Sequence, residues 1–197
     1  MTAQSQADEQ VLRQYLRSSR EALLWKIEGV SERELRLPRT ATGTNLLGIV
    51  KHCLNVEAGY FGPTFGRALP MADELIPLDA YDVDPQVDFY ATETETAAVL
   101  VDLYRRVGQY VDDTLAELPF DTVGLVPWWP EDLREVTLQR IVVHVLQDLA
   151  RHAGHADILR EQLDSSAGHN AARPNLPDDY DWPAYVARLT ANADRFA

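Results

Sequence analysis

The chain has 197 residues, 46% of them hydrophobic, and a formal net charge of −13 from 18 basic against 31 acidic side chains. That length fits one domain with a sizeable core. The acidic balance argues against a surface built to grip nucleic-acid phosphates or anionic lipid, both of which call for clustered Lys and Arg. The single cysteine, Cys53, excludes an internal disulfide framework. The polar start MTAQSQADEQ carries no apolar signal segment, and no run approaches the roughly 18 apolar residues of a membrane span, so a cytoplasmic protein is expected.

Apolar periodicity predicts a first helix over residues 8–29, striped by Val11, Leu12, Tyr15, Leu16, Ala22, Leu23 and Ile27. Ser31 with Glu34 reads as a capping box that opens a short helical turn, and Pro38 ends it. A second helix opens at Thr44 and runs to Gly62-Pro63, with Leu46, Ile49, Cys53, Val56 and Tyr60 on its apolar face. Cys53 reads as a small core residue. His52 sits at the edge of that face, where an isolated histidine is more often a half-buried core residue than a ligand.

Residues 62–91 hold prolines and acids without a period. A connection this long is usually functional or crosses the fold, so it can carry site residues. A short turn of helix is expected at Met71–Leu75. A third helix is predicted over 92–118, with Thr92 as its cap, Glu95 three residues on and Pro119 as its stop. In the irregular stretch 119–136, Pro127-Trp128-Trp129-Pro130 either plugs one end of the helices or walls a pocket. No strand pattern stands out.

The fourth helix, residues 137–163, organises the rest. Thr137 is a suitable N-cap, and Leu138, Ile141, Val142, Val145, Leu149, Ala156, Leu159 and Leu163 recur at helical spacing. With His144 set at zero and about 100° per residue, His155 falls at roughly 20°, Asp148 at about 40° and His152 at about 80°, beside an apolar stripe centred near 100–120°. Asp148 and His152, four apart, can converge on one point facing the helical interior. Alone, such a pair is more often a surface hydrogen bond. Packed beside the second helix it joins His52, giving two imidazoles and one carboxylate, the ligand count of an open catalytic zinc site. His144 or His155 as a fourth protein ligand would close it.

Beyond residue 164 a tail is expected, with His169 solvated in a loop and a weak helix near Trp182–Arg195. The organisation predicted is a helical domain over 1–164 and a tail over 165–197 whose short helix packs on it. Four long helices joined partly by long connections imply an all-α four-helix bundle with crossovers.

The block TLQRIVVHVLQDLARHAGHADILREQLD, the preceding VPWWPEDLREV and the earlier LLGIVKHCLNVEAGYFG resemble the DinB-like superfamily. The resemblance spans about residues 8–164 and is strongest to an actinobacterial-type subgroup of unknown function. Relatives include the metal-binding domain of mycothiol-dependent maleylpyruvate isomerase and thiol S-transferases. The resemblance implies up-up-down-down connectivity, a long crossover between helices two and three, and a divalent metal held by His52, Asp148 and His152. Many members carry histidine or glutamate where Asp148 stands. Aspartate is one methylene shorter than glutamate, which draws the metal toward the fourth helix or weakens its binding.

The chemistry implied is a metal-dependent thiol transferase: a metal (zinc first; nickel, iron or manganese otherwise) activates an external low-molecular-weight thiol of the mycothiol or bacillithiol type, which attacks an electrophile. His155 is then an acid–base group or an orienting neighbour of the ligands, and Arg151 holds a carboxylate of the thiol or substrate. Both read equally well as surface side chains. Two other readings stay open: a non-catalytic, homodimeric metal- or ligand-binding module, and a metal-assisted hydrolase.

Overall fold

The computed structural model describes residues 3–197; Met1 and Thr2, which begin the polar N-terminal stretch, lie outside it. In order the elements are α1 (Ala3–Trp25), α2 (Glu32–Arg36), α3 (Leu46–Phe61), α4 (Ala80–Val83), α5 (Ala97–Glu117), β1 (Val123–Leu125), β2 (Glu135–Thr137), α6 (Leu138–Asp164) and α7 (Trp182–Ala193). The protein is mainly helical. Four long helices pack around one core, α1 against α6 and α5, and α3 against α5 and α6. No helix among the described residues is long and apolar enough to cross a membrane.

Helix α3 is the most deeply embedded. Leu47, Ile49, Val50, Leu54 and Phe61 are each 0% exposed. Each such burial contributes about 1.5–3 kcal/mol relative to exposure. The apolar stripe expected of this helix therefore understates it: Leu47, Val50 and Leu54 lie off that stripe and are buried as well, because α2, α5 and α6 all pack on α3. Cys53 is buried among them, as a core residue should be.

Helix ends follow side-chain chemistry. Thr137 caps α6, its hydroxyl accepting from the Arg140 amide, and Asn45 rather than Thr44 caps α3 by accepting from Gly48. Ser31 caps α2 as its capping-box pattern predicts. The third long helix begins later than its sequence suggests, at Ala97, with Thr96 as the capping side chain. The Thr92–Glu95 pair exists: the Thr92 amide donates to Glu95 Oε2 at 2.6 Å. That carboxylate is also drawn onto Lys51, 2.9 Å away. It closes the end of the crossover instead of starting the helix.

A two-stranded antiparallel ribbon corrects the expectation of no strands: Val123 pairs with Thr137, Gly124 with Val136 and Leu125 with Glu135. Three residues are too few to display a period of two above background. The ribbon turns the chain so that Trp128 and Trp129 sit in the loop between its strands. His169 is a second correction. It is half-buried rather than solvated, its Nε2 lying 2.9 Å from the Ser18 hydroxyl of α1. The tail helix α7 buries none of its residues; Tyr180, Trp182 and Tyr185 pack on one another instead.

Candidate metal centre

His52 on α3 and Asp148 and His152 on α6 each offer a ligand atom, and these atoms all lie within 4.8 Å of one another. The helical geometry explains the meeting. Asp148 and His152 stand four apart on one face of α6, and α3 packs along that face. His52 Nε2 is 3.6 Å from Asp148 Oδ2, and His152 Nε2 is 3.7 Å from Asp148 Oδ1. These gaps are too wide for hydrogen bonds. They are close to the ~3.4 Å that separates two donors on one tetrahedral zinc with bonds of about 2.0–2.2 Å.

Two buried atoms of the triad, Asp148 Oδ2 and His152 Nδ1, have no hydrogen-bond partner. Buried polar atoms in native proteins are nearly always satisfied. Unpartnered atoms of the right chemistry, on residues whose ligand atoms gather within 4.8 Å, fit a divalent cation.

Behind His52 stands a residue that sequence reasoning missed. Asp88 accepts a hydrogen bond from His52 Nδ1 at 2.7 Å and another from the Tyr81 hydroxyl at 3.2 Å. A carboxylate on Nδ1 fixes the ring and leaves Nε2 facing the other two ligands. Asp88 lies in the irregular crossover, where no spacing distinguishes it from its acidic neighbours.

What holds Asp88 there is a clamp on the first turns of α3. The Asn45 side chain donates to the Phe89 carbonyl at 3.0 Å. Buried Lys51 donates to the Tyr90 carbonyl at 3.0 Å. Gly48 lets that Phe89 carbonyl lie against the helix, in space that a Cβ would occupy. The Phe89 ring then stacks on His52, centroids 4.1 Å apart and planes 17° from parallel.

The electrostatics divide the two imidazoles. Burial opposes a charge on His52, but the carboxylates of Asp148 and Asp88 outweigh it and push the ring up to about 9. Burial, reinforced by the neighbouring His52, pushes His152 down to about 4. Burial also works against ionised Asp148, yet His52 and His152 hold it below the usual carboxylate range. So the cluster without a cation already contains a neutral imidazole and an ionised carboxylate, two groups in ligating form.

The other expected residues fall outside the triad. His155 is exposed, its ring centroid 5.4 Å from that of His152. Arg151 is exposed on the same helix. His144 turns away, its Nε2 3.1 Å from the Tyr60 hydroxyl, which also accepts from Trp129 Nε1 at 3.0 Å. Trp129 joins this aromatic cluster, and Trp128 meets the pocket-wall reading: it lines a cavity of about 660 Å³ whose wall includes His52 and Asp88.

Fold and site together define a mainly helical protein with a His/Asp/His candidate metal centre in the wall of a cavity. A family model for mycothiol S-transferases matches residues 11–165, and the chain belongs to that family, a DinB-like one. No curated protein matches it.

Proposed function

We propose that the protein is a divalent-metal-dependent S-transferase that joins a low-molecular-weight thiol to an electrophile. The observation that carries this reading is the convergent His52/Asp148/His152 set, with Asp148 and His152 atoms left unpartnered, beside a cavity in a chain of the mycothiol S-transferase family. The square of helix contacts supports the up-up-down-down four-helix bundle of the DinB-like superfamily, with α3 and α6 supplying the ligands.

His52, Asp148 and His152 would hold the cation, zinc first among nickel, iron and manganese. A divalent cation there would favour the thiolate form of a small thiol at neutral pH. The protein supplies the rest. Asp88 keeps His52 oriented, and Phe89, stacked on its ring, restricts access of water to it. His155, at the exposed rim beside His152, receives the thiol proton, and Arg151 holds a polar or anionic group of the thiol. The sulfur–carbon bond forms as the leaving group departs with its bonding pair.

The test is to incubate the metal-loaded protein with mycothiol and an electrophilic aryl halide, following the thioether and the released halide. Conjugation that depends on both metal and thiol, and is absent from His152→Ala, is expected. Turnover of an ester substrate without thiol would instead identify a hydrolase. Metal binding with neither activity would identify a binding module.

A further inference from the structure

The cavity beside His52, about 660 Å³, is within the size range of pockets that enclose drug-sized organic molecules. Its walls are largely apolar: Val56, Leu69, Leu75, Ile76, Leu78 and Trp128 contribute to them. Among the described residues no lysine or arginine lines it, whereas Asp82 and Asp88 do. His52, the lining group able to carry positive charge, is already flanked by Asp88 and Asp148. A carboxylate entering this space would shed its hydration, find no free cationic side chain and meet like charges. An uncharged aromatic molecule meets none of these penalties and buries apolar surface against the walls.

One wall is built at a cost. Gly59 stands inside α3, where glycine is about 1 kcal/mol less favourable than alanine. A Cβ at Gly59 would come within 3.3 Å of the Trp128 ring, so the bare backbone lets the indole lie a few tenths of an ångström closer to the helix. Tyr60 braces the same indole edge-on, with centroids 5.0 Å apart. Trp128 is nevertheless 41% exposed. Part of its aromatic surface is therefore uncovered by protein and free to pack on a flat ligand.

We propose that this cavity is the seat of the electrophilic co-substrate, and that Trp128, set against Gly59 and Tyr60, selects uncharged aromatic molecules over their carboxylate counterparts. Calling the occupant a co-substrate rests on the transferase reading; the binding preference does not.

The experiment is isothermal titration of the zinc-loaded full chain with 2-naphthalenemethanol and with 2-naphthoate, repeated after dialysis against EDTA. One 2-naphthalenemethanol per chain should bind, at least tenfold more tightly than 2-naphthoate. Trp128→Ala should weaken it at least tenfold, and Trp128→Phe should retain most of the affinity. Leu78 lines the cavity and is 54% exposed, so Leu78→Arg should be tolerated and should narrow or reverse the preference by supplying the missing cation. Equal or tighter binding of 2-naphthoate overturns the proposal. So does absence of binding, or unchanged affinity in a folded Trp128→Ala. Loss of the transferase reading alone would leave these titrations as they are, and thiol transfer with an inverted preference would remove this inference alone.

Discussion

Two polar clusters are rooted on α3, one at Glu57 and one at His52. The Glu57 cluster is closed. Its carboxylate accepts from Arg20 Nη2 at 2.6 Å, from Arg20 Nε at 3.1 and 3.2 Å, and from the Tyr104 hydroxyl at 2.6 Å. Glu57 and Tyr104 are 0% exposed, and none of the buried side-chain polar atoms in this trio is left without a partner. The His52 cluster is open: Asp148 Oδ2, His152 Nδ1 and Asp88 Oδ1 are buried and unpartnered, and a cavity adjoins them. Only α3 is common to both: the closed cluster ties it to α1 and α5, the open one to α6 and the crossover. A network whose task is to fix helix packing satisfies itself, while one held for a ligand keeps donor atoms in reserve.

Substitutions should separate the two clusters, and the largest effect belongs to the open one. His52→Ala and His152→Ala should each abolish tight metal binding by elemental analysis while leaving the far-UV circular dichroism intact. Asp148→Ala should weaken metal binding far more than His144→Ala, because His144 bonds to Tyr60 and not to the triad. The opposite order would place the centre nearer the start of α6.

In the closed cluster, Glu57→Ala would strand the buried Arg20 guanidinium. A loss of about 3–5 kcal/mol in urea unfolding is expected. Metal stoichiometry of the folded fraction should stay unchanged. If that fraction loses its metal, the two clusters are not separable.

Asp88→Asn keeps the shape behind His52 and removes the charge. A tenfold to hundredfold loss of metal affinity is typical when such an orienting carboxylate is removed, and that range is expected in a competition titration. The smallest effect should come from His169→Ala. It removes one hydrogen bond to Ser18, worth about 1 kcal/mol of stability, and should not change metal content.

Much of the centre was legible because helices are periodic. The i, i+4 spacing of Asp148 and His152 puts them on one face before any coordinates exist. The apolar stripe of α6 then says which way that face looks. His52 followed from its place beside Ile49 and Val56. Asp88 did not follow, since its approach to His52 depends on Asn45, Gly48 and Lys51 gripping a segment with no period of its own. For a similar reason His169 was misplaced: its partner Ser18 lies 151 residues away in the chain, a distance local pattern cannot bridge. The late start of α5 reflects the cap in use: Thr96 accepts from the Val99 amide, while Glu95 ties the Thr92 amide and Lys51 together at the end of the crossover.

The central claim is that His52, Asp148 and His152 converge, with Asp148 Oδ2 and His152 Nδ1 left unpartnered, to hold a divalent cation. Elemental analysis of untagged protein, run beside His152→Ala, tests it most directly. Close to one metal per chain in the wild type and none in the variant is the result this account predicts. No metal in the wild type, even after incubation with zinc or nickel, or the same content in His152→Ala, would contradict it.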